Sequence, residues 1–296
     1  MALFQKQPMM RKVLYALIPI YIYSLFFYGV RLIWLSLFVF TFGILSEYIF
    51  EKKKGKKVSE AVLVTCMLYT LSLPPLTPWW IATIGIIFGI VFAKEAYGGF
   101  GRNIFNPAIT ARLFVYIAFP SYMTNGWMIP KFGSFGLDVT TSATPLALLK
   151  ESQTLSLKDL FLGFRAGSIG ESAIFLIIIG AIYLIFTKTA SWKIIVSTIL
   201  SAFILTAVFD IFIPSAPPTI FALLSGSLLF VSVFIATDPI TAPKNSKAQV
   251  IYGIIIGVSI VIIRTFSLFA EGTSFAVLLG NTFAPFLDHV TKKVKK

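Results

Sequence analysis

Charge is scarce in this chain. Of 296 residues only 12% are Asp, Glu, Lys or Arg, while 57% are hydrophobic and the mean hydropathy is +0.88. A soluble domain of this length needs a charged coat, so these proportions exclude one. Cysteine is scarcer still. Cys66 is single, so no internal disulfide forms, and without a C-x-x-C the chain alone ligates no iron–sulfur cluster. His289 is single too. With no His or Cys companion it reads as an interfacial side chain rather than a metal ligand. No residue is assigned a catalytic or metal-binding role.

Apolar length is what the chain has in abundance, with 30 phenylalanines. Stretches able to cross a hydrocarbon core of about 30 Å fall at 13–30, 32–50, 59–74, 77–94, 106–120, 171–187, 191–213, 217–236, 248–265 and 272–289. The pattern predicts an all-α polytopic membrane protein of about ten transmembrane helices. The third and fifth are short enough to be re-entrant.

The net charge is +13. With the N-terminus placed inside, 18 of the 25 Lys and Arg fall on inner segments. Six (Arg31, Lys131, Lys150, Lys158, Arg165 and Arg264) fall outside, and Arg112 lies within a span. Such a bias sets both termini in the cytoplasm. The charge therefore serves topology and attraction to anionic membrane lipid, and implies no nucleic acid. The basic N-terminus lacks a small-residue cleavage site and reads as an uncleaved anchor. Lys52–Lys57 is a basic inner loop, and Trp79 and Trp80 form an aromatic belt.

Three regions follow: a first transmembrane repeat over 1–120, an outer-face loop over 121–170 and a second repeat over 171–296. Five spans on each side is an odd number, so the halves begin on opposite faces, the geometry of inverted repeats. Each half also carries a Gly- or Pro-broken inner segment, "EAYGGFGRNIFNPA" at 95–108 and "FIATDPITAP" at 234–243. The run Gly98, Gly99, Gly101 is not G-x-G-x-x-G and follows no strand, which excludes a dinucleotide fold. Asn103 and Asn106 stand three apart, on one side of any helix restarting there. Their amides suit a flavin edge or a quinone carbonyl, or serve as helix caps. Ionisable residues within spans are functional candidates by default. Arg112 is expected to pair with Glu95 or a cofactor, Asp210 to be solvated, and Glu47 to snorkel to the inner interface.

The outer loop contains "LDVTTSATPL", 137–146. A threonine hydroxyl becomes an attachment point when an enzyme presents an activated phosphoryl group to an extended peptide with small neighbours. Pro145 keeps the following chain out of a helix at that point. The spacing D-x-x-[ST]-[GS]-A-T resembles the signature read by flavin transferases, matched by Asp138, Thr141, Ser142, Ala143 and Thr144. Thr140 and Thr141 are alternative acceptors, but Thr144 holds the final place. With "GGFGRNIFNPA" and "TDPITAP", the chain resembles the RnfD/NqrB family, membrane subunits of Rnf and sodium-pumping quinone oxidoreductase complexes. Its modest length and short N-terminus are more similar to RnfD.

That resemblance implies a urea-transporter-like fold of two inverted five-helix repeats. It implies FMN joined to Thr144 as a phosphoester, with Asp138 and Ser142 read by the transferase. It also implies a non-covalent riboflavin held by Asn103, Asn106 and Asp238. The partners would be the A, B, C, E and G subunits of an Rnf complex in a bacterial or archaeal cytoplasmic membrane. The complex would couple electron transfer between ferredoxin and NAD to Na⁺ or H⁺ translocation. Two other readings compete: a passive small-solute channel of the same architecture, which has no use for the flavin signature, and a scaffold subunit with a fortuitous Thr-rich loop.

Overall fold

The computed structural model describes residues 4–129, 133, 143–150, 156–171, 173–213, 217–267 and 272–292. The first helix, α1, covers Pro8–Lys53 and departs from helical geometry at Gly29 (φ 49, ψ −126). A straight helix of 46 residues would run roughly 69 Å. Yet the Tyr21 hydroxyl and Ser36 Oγ lie 2.7 Å apart. Strand β1 (Phe4–Gln5), just before α1, also pairs in parallel with β2 (Val58–Ser59), just after it. The helix therefore folds back on itself at Gly29, where a positive φ favours a residue without Cβ. Its two arms are the expected spans 13–30 and 32–50.

Helices α2 (Ala61–Ser72) and α3 (Trp79–Ala93) follow, then a 3₁₀ turn at Glu95–Tyr97 and α4 (Pro107–Ala118). Short helices α5 (Pro120–Asn125), α6 (Pro145–Lys150) and α7 (Leu157–Leu162) lead to α8 (Ile174–Phe186) and α9 (Trp192–Phe212). Next come α10 (Thr219–Leu224) and α11 (Leu228–Phe230), which runs into a π-helical turn at Val231–Ile235. The long helices α12 (Ser246–Phe266) and α13 (Gly272–Thr291) close the chain. Among the described residues the only strands are the two-residue pair β1 and β2. Pro145, expected to hold the chain out of a helix, instead opens α6. The first helical turn needs no N–H from that position, so proline fits there.

Four segments are long and apolar enough to cross a membrane: Pro8–Lys53, Trp79–Tyr97, Trp192–Phe212 and Ser246–Phe266. Their outward faces are greasy, with Ile211 77% and Phe212 74% exposed. This is an all-α, membrane-type architecture. Helices α9 and α12 approach closely because Gly253 and Gly257 face Ser197 and Ser201, the small-residue packing of membrane helices. The two halves meet where α1 packs on α8 and α4 on α13.

The α1 hairpin defines two ends. Its base, with β1, β2 and the 95–106 segment, is the break end. Its tip is the loop end, where Gly133 N donates to Phe26 O at 3.2 Å. Helices α2 and α4 have 12 residues each, or about 18 Å. Helices that short leave an end inside a hydrocarbon layer, where backbone groups must be satisfied by protein. At the end of α2, Gly170 N donates to Leu71 O at 2.6 Å and Ile169 N to Leu73 O at 3.1 Å. A Cβ on Gly170 would lie 2.7 Å from Leu71 Cβ, so glycine permits that approach.

Glu47 departs from expectation. Rather than snorkelling, it is buried, ion-paired to the buried Lys94 Nζ, and accepts from Ser59 N at 2.8 Å. The reason is that β2 lays its donors over the end of α1 while α3 ends beside it. A buried carboxylate persists only when paired and hydrogen-bonded. Nearby, Glu60 accepts from Gln7 N at 2.6 Å and from Arg11.

Removing one partner of the Glu47–Lys94 pair leaves an uncompensated buried charge, which typically destabilises by about 3–5 kcal/mol. Lys94→Met should therefore lower unfolding stability in detergent by about that much. The double variant Glu47→Leu/Lys94→Met should recover most of it. Equal losses in the single and double variants would contradict the pairing.

Candidate functional site

At the break end, Gly98, Gly99 and Gly101 all take positive φ (106, 95 and 85). A Cβ on Gly99 would also lie 2.6 Å from Glu51 Oε1. This turn delivers Asn106 to the start of α4, where Pro107 takes the first helical position. Asn106 Oδ1 accepts from Ala108 N at 3.0 Å and Ile109 N at 3.4 Å, capping the helix. Its Nδ2 donates to Asp238 Oδ2 at 3.0 Å, and its backbone N donates to Asn281 Oδ1 at 3.1 Å. Asn281 Nδ2 in turn donates to the Tyr252 hydroxyl at 2.8 Å. One residue of the first half is thus tied into a network of three from the second.

Asn103, Asn106 and Asp238 all line one crevice of about 40 Å³, together with Lys94, Phe100 and Phe234. The structure therefore brings the three sequence-predicted residues together. The π-helical turn ends at Ile235, three residues before Asp238, and such turns often mark functional positions. Asp238 Oδ1 accepts from Ile240 N at 3.0 Å. Although half-buried by exposure, the carboxyl sits deep among protein atoms. Burial raises it above the ordinary carboxylate range, opposed by the Ile240 N–H, the Asn106 amide, the Thr241 hydroxyl and the Lys94 charge.

At the loop end, Thr144 precedes α6, and its carbonyl accepts from Leu148 N at 2.9 Å. Its neighbours Ala143 and Pro145 line a recess of about 210 Å³, with Ile129, Leu148, Phe164 and Arg165 among the other walls. Asp138 and Ser142, with Thr140 and Thr141, lie outside the described residues. Arg165 is buried and donates from Nη2 to Glu171 O at 3.0 Å, while its Nε has no hydrogen-bond partner.

Of the two partners expected for Arg112, Glu95 is not the one it meets. Its Nη2 donates to Ser168 Oγ at 3.1 Å and lies 3.5 Å from Glu171 Oε1. Glu95 instead pairs with Lys54 Nζ at 2.7 Å. Arg112 stands five residues beyond Pro107 in α4, about 8 Å from the break, and reaches the 163–171 segment instead. Asp210 is exposed, as expected, and its Oδ2 accepts from Thr219 N at 2.9 Å at the start of α10. Sequence reasoning missed Asn281, Tyr252 and Glu171. The available clue was polarity inside apolar runs, as in "LLGNTFAP".

Interrupted helices that meet at one end, with a threonine-flanked recess at the other, define a polytopic helical membrane protein with discontinuous segments. The chain belongs to the NQR2, RnfD, RnfE family, whose model matches residues 4–296. It is similar to the B subunit of the Na(+)-translocating NADH-quinone reductase of Chromohalobacter salexigens, 38% identical over 261 residues, or 86% of this chain and 63% of that one. It is also similar to the D subunit of the Na(+)-translocating ferredoxin:NAD(+) oxidoreductase complex of Acetobacterium woodii, 34% identical over 292 residues (96% and 88% of the two chains). The D subunit of the ion-translocating oxidoreductase complex of Shewanella frigidimarina is 30% identical over 321 residues (96% and 91%). The chain spans less than two thirds of the length of the Chromohalobacter relative.

The raised Asp238 carboxyl sets a pH signature. A group that holds its proton to higher pH when folded contributes stability that is full below its unfolded value and lost as pH rises through its folded one. Asp238→Asn keeps the shape and an acceptor without the charge. Its melting temperature should match wild type at acid pH and exceed it increasingly toward neutrality. A gap that is constant with pH would contradict a strained Asp238 carboxylate.

Proposed function

We propose that this chain is the membrane flavoprotein subunit of an Rnf-type complex. That complex couples electron transfer between ferredoxin and NAD to translocation of Na⁺ or H⁺. The observation that carries the reading is Thr144, last residue of the D-x-x-[ST]-[GS]-A-T spacing, set beside a recess at the loop end. The family membership and the names of the relatives support it. The proposal includes ten transmembrane spans in two inverted five-helix repeats and both termini cytoplasmic. It also includes the A, B, C, E and G subunits as partners, a flavin transferase and the surrounding lipid. Residues 121–170 then face outward, with Asp138 and Ser142 as transferase-recognition residues.

The residues at the loop end fit an FMN phosphoester. Phe164 and Ile129 offer apolar surface, and a buried guanidinium has a donor to spare. The recess is smaller than the roughly 300–1,000 Å³ of a pocket enclosing a whole ligand, so it takes only part of the group. On attachment the Thr144 Oγ–phosphorus bond forms, the bond from phosphorus to its activating group breaks, and the hydroxyl proton leaves with that group. Bound flavin supplies reversible electron storage. This chain's residues anchor it, wall one side of it and hold it at the membrane face.

A second flavin or quinone at the break end is favoured by Asn103, Asn106 and Asp238 meeting in one crevice. The fit there is poor. A crevice of about 40 Å³ holds a water or so, and the Asn106 amide oxygen already serves two backbone N–H groups. A riboflavin ring enters only if α4 and the 238–240 segment part, and no electron step is assigned to that site.

The energetics allow coupling. Moving one cation against about 150 mV requires roughly 3.5 kcal/mol, which a two-electron drop of about 75 mV supplies. Thr144→Val keeps the shape and removes the attaching oxygen. Produced with a flavin transferase, the wild-type denatured chain should fluoresce in a gel and the variant should lose that signal while still inserting. A Thr144→Val chain that fluoresces as wild type would sink the assignment.

A further inference from the structure

Among the described residues of the loop end, more positive than negative side chains are buried. Among the described residues, the buried charged side chains at this end are Arg112, Arg165 and Glu171. Arg112 and Arg165 both address Glu171, the first at its carboxylate and the second at its backbone carbonyl. One carboxylate thus stands against two guanidinium groups. A third, Arg264, is half-buried nearby. A Cβ on Gly226 would lie 2.8 Å from Arg264 Nη2 and 2.9 Å from Leu146 Cδ1, so both pack on that glycine. Asp159, the one acidic side chain among the described residues lining the recess, is exposed at its rim, where water screens it.

Burying a guanidinium with an unmade hydrogen bond is unfavourable. Arg165 is 7% exposed, its Nε is without a partner, and the side chain lines the recess that Ala143 and Pro145 also line. Those two residues bracket Thr144. The Arg165 side chain and the two residues that flank Thr144 therefore wall one recess. Arginine suits a phosphate oxygen by geometry as well as charge. A phosphodiester between threonine and a ribityl chain carries one negative charge, the sign that a guanidinium attracts.

We propose that Arg165 is the phosphate-positioning residue of this site: its guanidinium holds the phosphodiester that links the flavin to Thr144. The inference rests on the Thr144 reading above. Making the bond is the work of the transferase, and Arg165 is assigned no part in that step. Its role is to dock the linker against the 163–171 segment and so fix the flavin relative to the helices.

The test uses the assembled complex produced with a flavin transferase. Wild type, Arg165→Gln and Arg165→Lys are compared. In-gel fluorescence of denatured chains reads covalent attachment. Flavin anisotropy, with quenching by neutral acrylamide in the native complex, reads docking. Arg165→Gln should keep the gel label, while the ratio of undocked to docked flavin rises roughly tenfold, the loss of one charge-assisted hydrogen bond. Arg165→Lys, which keeps charge but not the planar fork, should fall between. A labelled Arg165→Gln chain with unchanged anisotropy and quenching overturns this inference and leaves Thr144 standing. A wild-type chain without label overturns the Thr144 reading, and this inference with it. Should Arg165→Gln fail to insert, Arg165→Lys decides: docking equal to wild type counts against the assignment, and a measurable rise in quenching supports it.

Discussion

Backbone that leaves a helix inside a hydrocarbon layer has no water to bond with, and that constraint organises this molecule. The chain breaks its helices at 95–106 and again at 236–245, and each break exposes donors and acceptors. One asparagine answers both. Asn106 caps α4 with its side-chain oxygen, gives its amide protons to Asp238 and its backbone N–H to Asn281. The two halves are thereby fastened at their weakest points. The same logic operates at the other end, where Ile169 and Gly170 supply the missing donors to the last turn of α2.

Placing polar groups this way leaves charge to be managed. Glu47 with Lys94, and Arg112 with Glu171, are buried pairs whose partners come from different elements. Such pairs add little net stability but are hard to break singly, so each ties two separate segments together. Beside the second pair, Arg165 has an Nε without a hydrogen-bond partner and lines the recess that Ala143 and Pro145 also line. The Arg112–Glu171 pair and the proposed flavin site are therefore neighbours at the loop end.

Much of this was legible in the sequence, for identifiable reasons. Long apolar runs announce membrane helices because the length of a span is fixed by the bilayer. The glycine run and Asn106-Pro107 announced a helix break because positive φ and a capping amide are local demands. The partners of buried charges were not legible. Glu47 looked able to snorkel and Arg112 looked close to Glu95, because sequence distance says nothing of which element returns to cover a charge. The reversal at Gly29 was visible as two adjoining spans, but its tightness rests on the Tyr21–Ser36 contact, a tertiary fact. Asn281 was hidden because an amide in an apolar helix gives no sign of its partner.

The central claim is that the loop end holds a flavin through Thr144. The most direct measurement is the mass of the peptide spanning residues 143–150, released from the purified chain after production with a flavin transferase. The account predicts a gain equal to FMN less one water, localised by fragmentation to the Thr144 oxygen. An unmodified Thr144 in a chain whose complex carries out electron transfer would contradict it.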